Sequence, residues 1–239
     1  MKLCLNKEIK RVKCVAGKLF NKKEFNFNKE DSLDYAFFHE NGLLSKTESI
    51  KKLIKSHFNG NSFSGNSGPL LLDICCGTGE IGEVISSDFR RIIGVDSAIE
   101  TVKKAKTRNV VNGNFLVCNT EKLCFLNGLF DVVILVNCLH HSFKSLRIII
   151  QETYRVLKKG GFMAIFELNP LNPLQLIWFY LLCPVDKGMR MIGPRYLKQV
   201  MEETAGGNGS ITIKPLPLTL YFEYMVVYSK NNQTKWMFR

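Results

Sequence analysis

Two aspartates stand where ligand chemistry is expected. Asp73 closes the apolar run LLLDI and Asp96 closes a second run, RIIGVD. Between them lies CCGTGEIG, in which Gly77, Gly79 and Gly82 follow the spacing G-x-G-x-x-G. This order describes a strand, a tight turn, a helix and a second parallel strand, and open α/β sheets bind ligands at such strand ends. The spacing formally fits a dinucleotide fingerprint, with Asp96 accepting hydrogen bonds from ribose hydroxyls. Glycines that serve only tight packing are the plainer alternative.

Charge separates the ligand candidates. A dinucleotide brings a pyrophosphate to the helix N-terminus, where backbone N–H groups and the dipole attract anions. Glu80 stands at that place. Carboxylates at Asp73 and Glu80 repel a diphosphate and favour a ligand with positive charge. S-adenosylmethionine has that character, because its sulfonium and ammonium suit acidic side chains while loop N–H groups suit its carboxylate.

The elements that must position these residues can be read outward from the loop. The apolar residues from Leu43 to Phe58 recur near helical spacing, so a helix leads into the fold. NGNSFSGNSGP (residues 59–69) reads as a linker. Ser97 is the expected N-cap of the helix in SAIETVKKAKTRN, and NFLVC supplies a third strand ending near Asn119. FDVVILV forms a buried fourth strand, and a helix from about Lys144 to Leu157 precedes Gly160 and Gly161 and a fifth strand, GFMAIFE. Pro194 opens a further helix. The tail SITIKPLPLTLYFEYMVVYSK gives two strands of an antiparallel hairpin.

These segments, in order, resemble a known family. LLDICCGTGE, GVDSAIETVKKA, CNTEKLCF, FDVVILVNCLHH and RVLKKGGFMAIFE are similar to the class I S-adenosylmethionine-dependent methyltransferases, in their small-molecule branch, over about residues 35 to 230. The resemblance implies an α/β, doubly wound, Rossmann-like sheet of seven strands, mostly parallel with an antiparallel C-terminal hairpin. It implies S-adenosylmethionine as cofactor, with Asp73, Cys75, Gly77 and Gly79 at its methionine part and Asp96 and Ser97 at the ribose. Asn119, Thr120 and Glu121 fall at the adenine edge, and Asn137 closes the loop after the fourth strand. Two positions depart from the family: Cys75 replaces the first loop glycine, and Asn119 replaces an aspartate. An asparagine carbonyl still accepts a hydrogen bond from the adenine amino group, without the charge.

Domain organisation follows: residues 1–66 form a basic arm and cap helix, and 67–239 the methyltransferase domain, with an insertion at 167–194. That insertion, ELNPLNPLQLIWFYLLCPVDKGMRMIGP, is apolar but too short to span a bilayer. It reads as a lid whose Trp178, Phe179 and Tyr180 line an apolar acceptor pocket, with a core helix, a dimer contact or a membrane-surface contact as alternatives. Of the adjacent histidines after the fourth strand, His140 is read as structural, and His141 as the one facing substrate and able to act as a base. No metal is expected, since neighbouring histidines cannot easily converge on one ion. Methyl transfer is expected to run by in-line displacement, driven by positioning in a dry site.

Composition bounds the rest. The chain has 239 residues, 46% of them hydrophobic, which suits one α/β domain with additions. The net charge of +12 is concentrated in part near the N-terminus and leaves RNA binding open, though not favoured. The eight cysteines form no C-x-x-C pair and suggest neither a disulfide framework nor a zinc site, so a reducing, cytoplasmic setting is expected. The N-terminus lacks an apolar signal segment. The principal expectation is a methyltransferase for a small, apolar or lipid-like acceptor. The alternatives are an RNA or protein methyltransferase, a non-catalytic subunit of the same fold, and, least favoured, a nicotinamide oxidoreductase. Oligomeric state is not legible.

Overall fold

Strands that are covered on both faces should be apolar throughout, and the central strands are. In the computed structural model, which describes residues 33–58, 68–108, 110–177, 190–205, 209–216 and 223–230, β1 (Leu70–Ile74) and β4 (Phe130–Val136) lie side by side in parallel, Leu72 facing Val133 and Asp73 facing Ile134. β2 (Arg91–Asp96) and β3 (Gly113–Val117) extend the parallel sheet on one side. β5 (Leu157–Leu168) continues it on the other. The C-terminal strands β6 (Gly209–Pro215) and β7 (Glu223–Lys230) pair antiparallel, and β7 inserts beside β5. The seven-stranded order is β3-β2-β1-β4-β5-β7-β6. The expected fold class is therefore observed, including the C-terminal hairpin.

Helices cover both faces. On one face α1 (Leu33–His57) buries Ile50, Leu53 and Ile54, together with Ile81 and Ile85 of α2 (Glu80–Ile85), against Leu71, Ile92, Val132 and Phe162. On the other, α4 (Leu146–Val156) and α6 (Pro194–Ala205) bury Ile149, Ile150, Leu197 and Val200 against Leu72, Val133 and Val226. The short α3 (Ile99–Thr107) places Val102 and Ala105 on Phe115. α6 begins at Pro194 as expected, where a residue without an N–H costs nothing.

Three boundaries differ from expectation. α1 starts at Leu33 rather than Leu43. A 3-10 segment, Leu139–Ser145, precedes α4, which begins at Leu146. β5 begins at Leu157, so the two glycines lie inside the strand. There Gly160 takes φ +76°, and a Cβ on Gly161 would sit 2.5 Å from the carbonyl oxygen of Asp131, at a register shift against β4. The close approach, not a helix stop, explains that glycine. The insertion is described only at its ends, where α5 (Pro173–Ile177) follows β5. The basic arm, the linker core, and Trp178, Phe179 and Tyr180 lie outside the described residues.

Candidate active site

Backbone conformation shapes the first loop. Cys75, Gly77 and Gly79 all take positive φ, at 58°, 53° and 82°. Cys75 does so as a side-chain-bearing residue, at the place where the resemblance expects glycine. A Cβ on Gly77 would meet nothing within 4 Å, so this glycine leaves the backbone open to approach. A Cβ on Gly79 would sit 2.9 Å from the Phe115 ring. Phe115, from β3, fills the space under the loop, and Gly94 of β2 makes room for the same ring, since a Cβ there would lie 2.4 Å from it. Gly94 opens one of the segments that resemble the family, but only the tertiary contact reveals its role.

Asp96 couples the two strand ends. Its Oδ2 accepts the Gly77 N–H at 3.1 Å, and its Oδ1 accepts the Ala98 N–H at 2.9 Å. These bonds fix the carboxylate, and its remaining lone pairs stay usable. They also correct the capping expectation. Ala98, not Ser97, is the N-cap of α3, and Asp96 serves the Ala98 N–H; Ser97 is exposed.

Asp73 is 1% exposed, and its Oδ2 has no hydrogen-bond partner. Burial, and then the charge of Asp96, push its carboxyl up to about 8. Glu80 behaves otherwise than the charge argument assumed. Its carboxylate pairs with Arg108 at 2.9 Å and accepts from Thr78 Oγ1, while Arg108 also bonds the Thr78 carbonyl at 2.7 Å and Glu83. Arg108 thus neutralises the acidic helix start and clamps the outer side of the loop. The acidic side chains of the site are then Asp73 and Asp96, and Asp73 gains its charge only when its proton leaves.

The third strand end is held by its own turn. Asn119 is exposed, and its Oδ1 accepts the Glu121 N–H at 2.9 Å, so the atom expected to meet adenine already closes an Asx turn. Glu121 accepts from Ser145 Oγ at 2.6 Å, tying this loop to the segment before α4. Thr120 is half-buried between them.

The loop after β4 is held residue by residue by two buried carboxylates that sequence reasoning missed. Glu167, at the end of β5, accepts the Cys138 N–H at 3.0 Å and the Leu139 N–H at 2.6 Å, and its other oxygen lies 2.6 Å from Nδ1 of His140. Burial pushes Glu167 up, but the charge and hydrogen bond of His140 and the Leu139 N–H outweigh it and leave the carboxyl below its ordinary value. Glu223, at the start of β7, accepts the Asn137 side-chain N–H at 3.0 Å and pairs with Lys46 of α1 at 2.6 Å. Asn137 itself takes φ +49°, and its Oδ1 is buried with no partner.

The cysteines require a correction. Cys75 and Cys138 form a disulfide, with Cα atoms 5.8 Å apart, that joins the loop after β1 to the loop after β4. Adjacent strand ends bring residues far apart in sequence together, which spacing could not show. Cys118 and Cys124 are unbonded, their sulfurs 3.5 Å apart. His140 is buried on Glu167, while His141 is exposed and its ring lies 4.2 Å from that of His140. Although one side of His141 is open, crowding by the protein and the nearby His140 lower its pKa to about 4.

The donor set fits the expected cofactor. Two orphaned buried acceptors, Asp73 Oδ2 and Asn137 Oδ1, stand at the ends of neighbouring strands beside a loop whose Gly77 leaves an open approach. An ammonium group donates the hydrogen bonds that such acceptors lack, whereas a diphosphate can only accept. Fold and donor set resemble those of S-adenosylmethionine-dependent methyltransferases with a Rossmann-like sheet.

Comparison with known proteins agrees. Residues 72–165 match the methyltransferase domain family. An uncharacterized methyltransferase from Synechocystis is 32% identical over 103 residues, 43% of this chain and 48% of its own length. The demethylmenaquinone methyltransferase of Thermotoga maritima is 32% identical over 104 residues, 43% of this chain and 44% of its own. The chain thus spans less than half the length of these relatives. A crystal structure of an S-adenosylmethionine-dependent methyltransferase from Thermotoga maritima superposes with a TM-score of 0.62 at 16% identity, covering 82% of this chain and 93% of that one, a likeness of fold.

Proposed function

We propose that the protein transfers the methyl group of S-adenosylmethionine to a small acceptor of apolar or lipid-like character, in a cytoplasmic setting. The observation that carries the cofactor half is the pair of unsatisfied buried acceptors, Asp73 Oδ2 and Asn137 Oδ1, beside the glycine loop. Burying such atoms without partners is costly, and a bound ammonium removes the cost. Bound there, the cofactor supplies an electrophilic methyl on a sulfonium. The chain's own part is to hold and dry the site. Asp96 fixes the glycine loop and offers its free lone pairs to the ribose, the turn at Asn119 and Thr120 with Glu121 borders the adenine, and Cys75 fastens the first loop to the fourth-strand loop. His141, neutral at physiological pH, is placed to accept a hydrogen bond from an acceptor hydroxyl.

The acceptor half rests on the surface around the insertion and on relatives. Leu171, Leu174 and Ile177 are exposed beside the end of β5, where an apolar acceptor would approach. One matched relative is named for a demethylmenaquinone substrate. Among the described residues no helix is long and apolar enough to cross a membrane, so a lipid-like acceptor would be met at a surface or in solution.

The test has two stages. Calorimetry should show S-adenosylmethionine binding, with Asp96→Ala weakening it at least tenfold. Cell extract incubated with the enzyme and isotopically labelled methyl donor should then place label in the solvent-extractable fraction. Label confined to RNA or protein would overturn the small-molecule reading in favour of a macromolecular acceptor.

A further inference from the structure

The ion pair between Lys46 and Glu223 joins three elements distant in sequence: the cap helix α1, the last strand β7 and the loop after β4. Both residues are 6% exposed. Isolating two charges from water is expensive and rarely stabilises a fold by itself. Gly42, one turn before Lys46, leaves the pair room: a Cβ there would lie 3.3 Å from the ammonium nitrogen and 3.6 Å from Glu223 Oε2. What the pair does is visible in its third member. Glu223 Oε1, already bonded to Lys46, also accepts from Asn137 Nδ2 at 3.0 Å.

A carboxylate can only accept, so it dictates which end of the Asn137 amide faces it. The amide nitrogen must turn to Glu223, and the carbonyl oxygen must turn away. That oxygen is buried and has no partner. Asn137 adjoins Cys138, which is bonded to Cys75 in the glycine loop, so the loop that carries this amide is tied to the loop that follows Asp73 at the end of the neighbouring strand. We infer that Glu223, anchored by Lys46, is a positioning residue that sets the Asn137 amide so that its carbonyl oxygen takes an N–H donor from the α-ammonium of the methyl donor, alongside Asp73. The inference rests on the cofactor reading above and extends it to two residues on α1 and β7 that no motif marks. It also makes the amino-acid end of the ligand the part that senses the cap helix.

The experiment compares two ligands by calorimetry on the full chain: S-adenosylmethionine, and 5′-methylthioadenosine, which keeps the adenosine and sulfur but lacks the ammonium and carboxylate. The double variant Lys46→Met/Glu223→Leu removes both charges together and leaves the Asn137 amide unguided. It should weaken S-adenosylmethionine about tenfold, the loss of one hydrogen bond to a charged group, and leave methylthioadenosine within about twofold. Lys46→Met/Glu223→Gln, which keeps an acceptor for Nδ2, should restore most of the loss. If the double variants do not fold, Asn137→Gly, suited to the positive φ, must show the same ligand-selective loss. Equal weakening of both ligands, or unchanged affinity for S-adenosylmethionine, would overturn the assignment alone. Failure of the wild-type chain to bind S-adenosylmethionine would instead bring down the cofactor reading, and this inference with it.

Discussion

Two pairs of carboxylates meet at the carboxyl end of this sheet, and they are used in opposite ways. In the parallel half, Asp73 and Asp96 close β1 and β2; Asp96 retains free lone pairs, and Asp73 keeps an oxygen with no partner. In the antiparallel half, Glu167 of β5 and Glu223 of β7 are turned inward onto Asn137, Cys138, Leu139 and His140. The first pair is the one proposed to meet a ligand, and the second mainly holds the protein's own loop, although Glu223 Oε2 also lacks a partner. A site that must bind a cation in a fixed pose needs both, because a ligand-facing carboxylate is only as well placed as the backbone around it.

The comparison predicts different losses on the two sides. Glu167→Ala should have the largest effect, because it orphans two buried N–H groups and the His140 ring. Urea denaturation should show a loss of about 3–5 kcal/mol. Asp96→Ala leaves two part-buried N–H groups without their acceptor, so it should cost less stability than Glu167→Ala and far more binding. A Glu167→Ala chain as stable as wild type would erase the distinction.

Asp73→Asn should come next, and it should act through the ligand. An amide cannot balance a cation as a carboxylate does, so affinity for S-adenosylmethionine should fall about 10- to 100-fold. Its pH signature has a definite sign. With its carboxyl raised to about 8, the free wild-type chain holds a proton on Asp73 at neutral pH, and a cationic ligand must expel it. Affinity should therefore climb by up to about tenfold per pH unit toward pH 8 and then level. Without ligand, the folded chain binds this proton more tightly than the unfolded chain. The group's contribution to stability is thus lost as pH rises between the ordinary aspartate value and about 8. Asp73→Asn should flatten both curves, as calorimetry and thermal melts at several pH values would show.

The smallest effect is expected at His141. A ring with a pKa near 4 is neutral at working pH but a weak base. Once an acceptor is identified by labelling, His141→Ala should lower turnover less than about tenfold, and the wild-type rate at saturating S-adenosylmethionine should show no break between pH 6 and 8. A break near 6.5 together with a loss above 100-fold would make His141 the proton acceptor in full.

Much of the ligand-facing half could be read directly. The places of Asp73 and Asp96 at strand ends and the glycine turn between them follow from apolar runs that end in carboxylates, because strand ends and tight turns impose local constraints on residue type, whereas the seven-stranded sheet was implied by the resemblance. Glu80 was legible as a charge but misread, because its partner Arg108 lies beyond the next helix. The Cys75–Cys138 bond escaped for the same reason: it joins residues 63 positions apart whose strands are neighbours only in the sheet.

What the amino-acid order determined by itself was local: where strands end, where the chain must turn, and which ends carry negative charge. Tertiary structure alone decided which charges are answered. Glu167 and Glu223 sit in strands that read as ordinary apolar runs, and they become the scaffold of the fourth-strand loop only because β7 inserts beside β5 and α1 brings Lys46 across the sheet end. Burial and pairing depend on neighbours that the folded sheet supplies, whereas a turn or a strand end is fixed by the residues that form it.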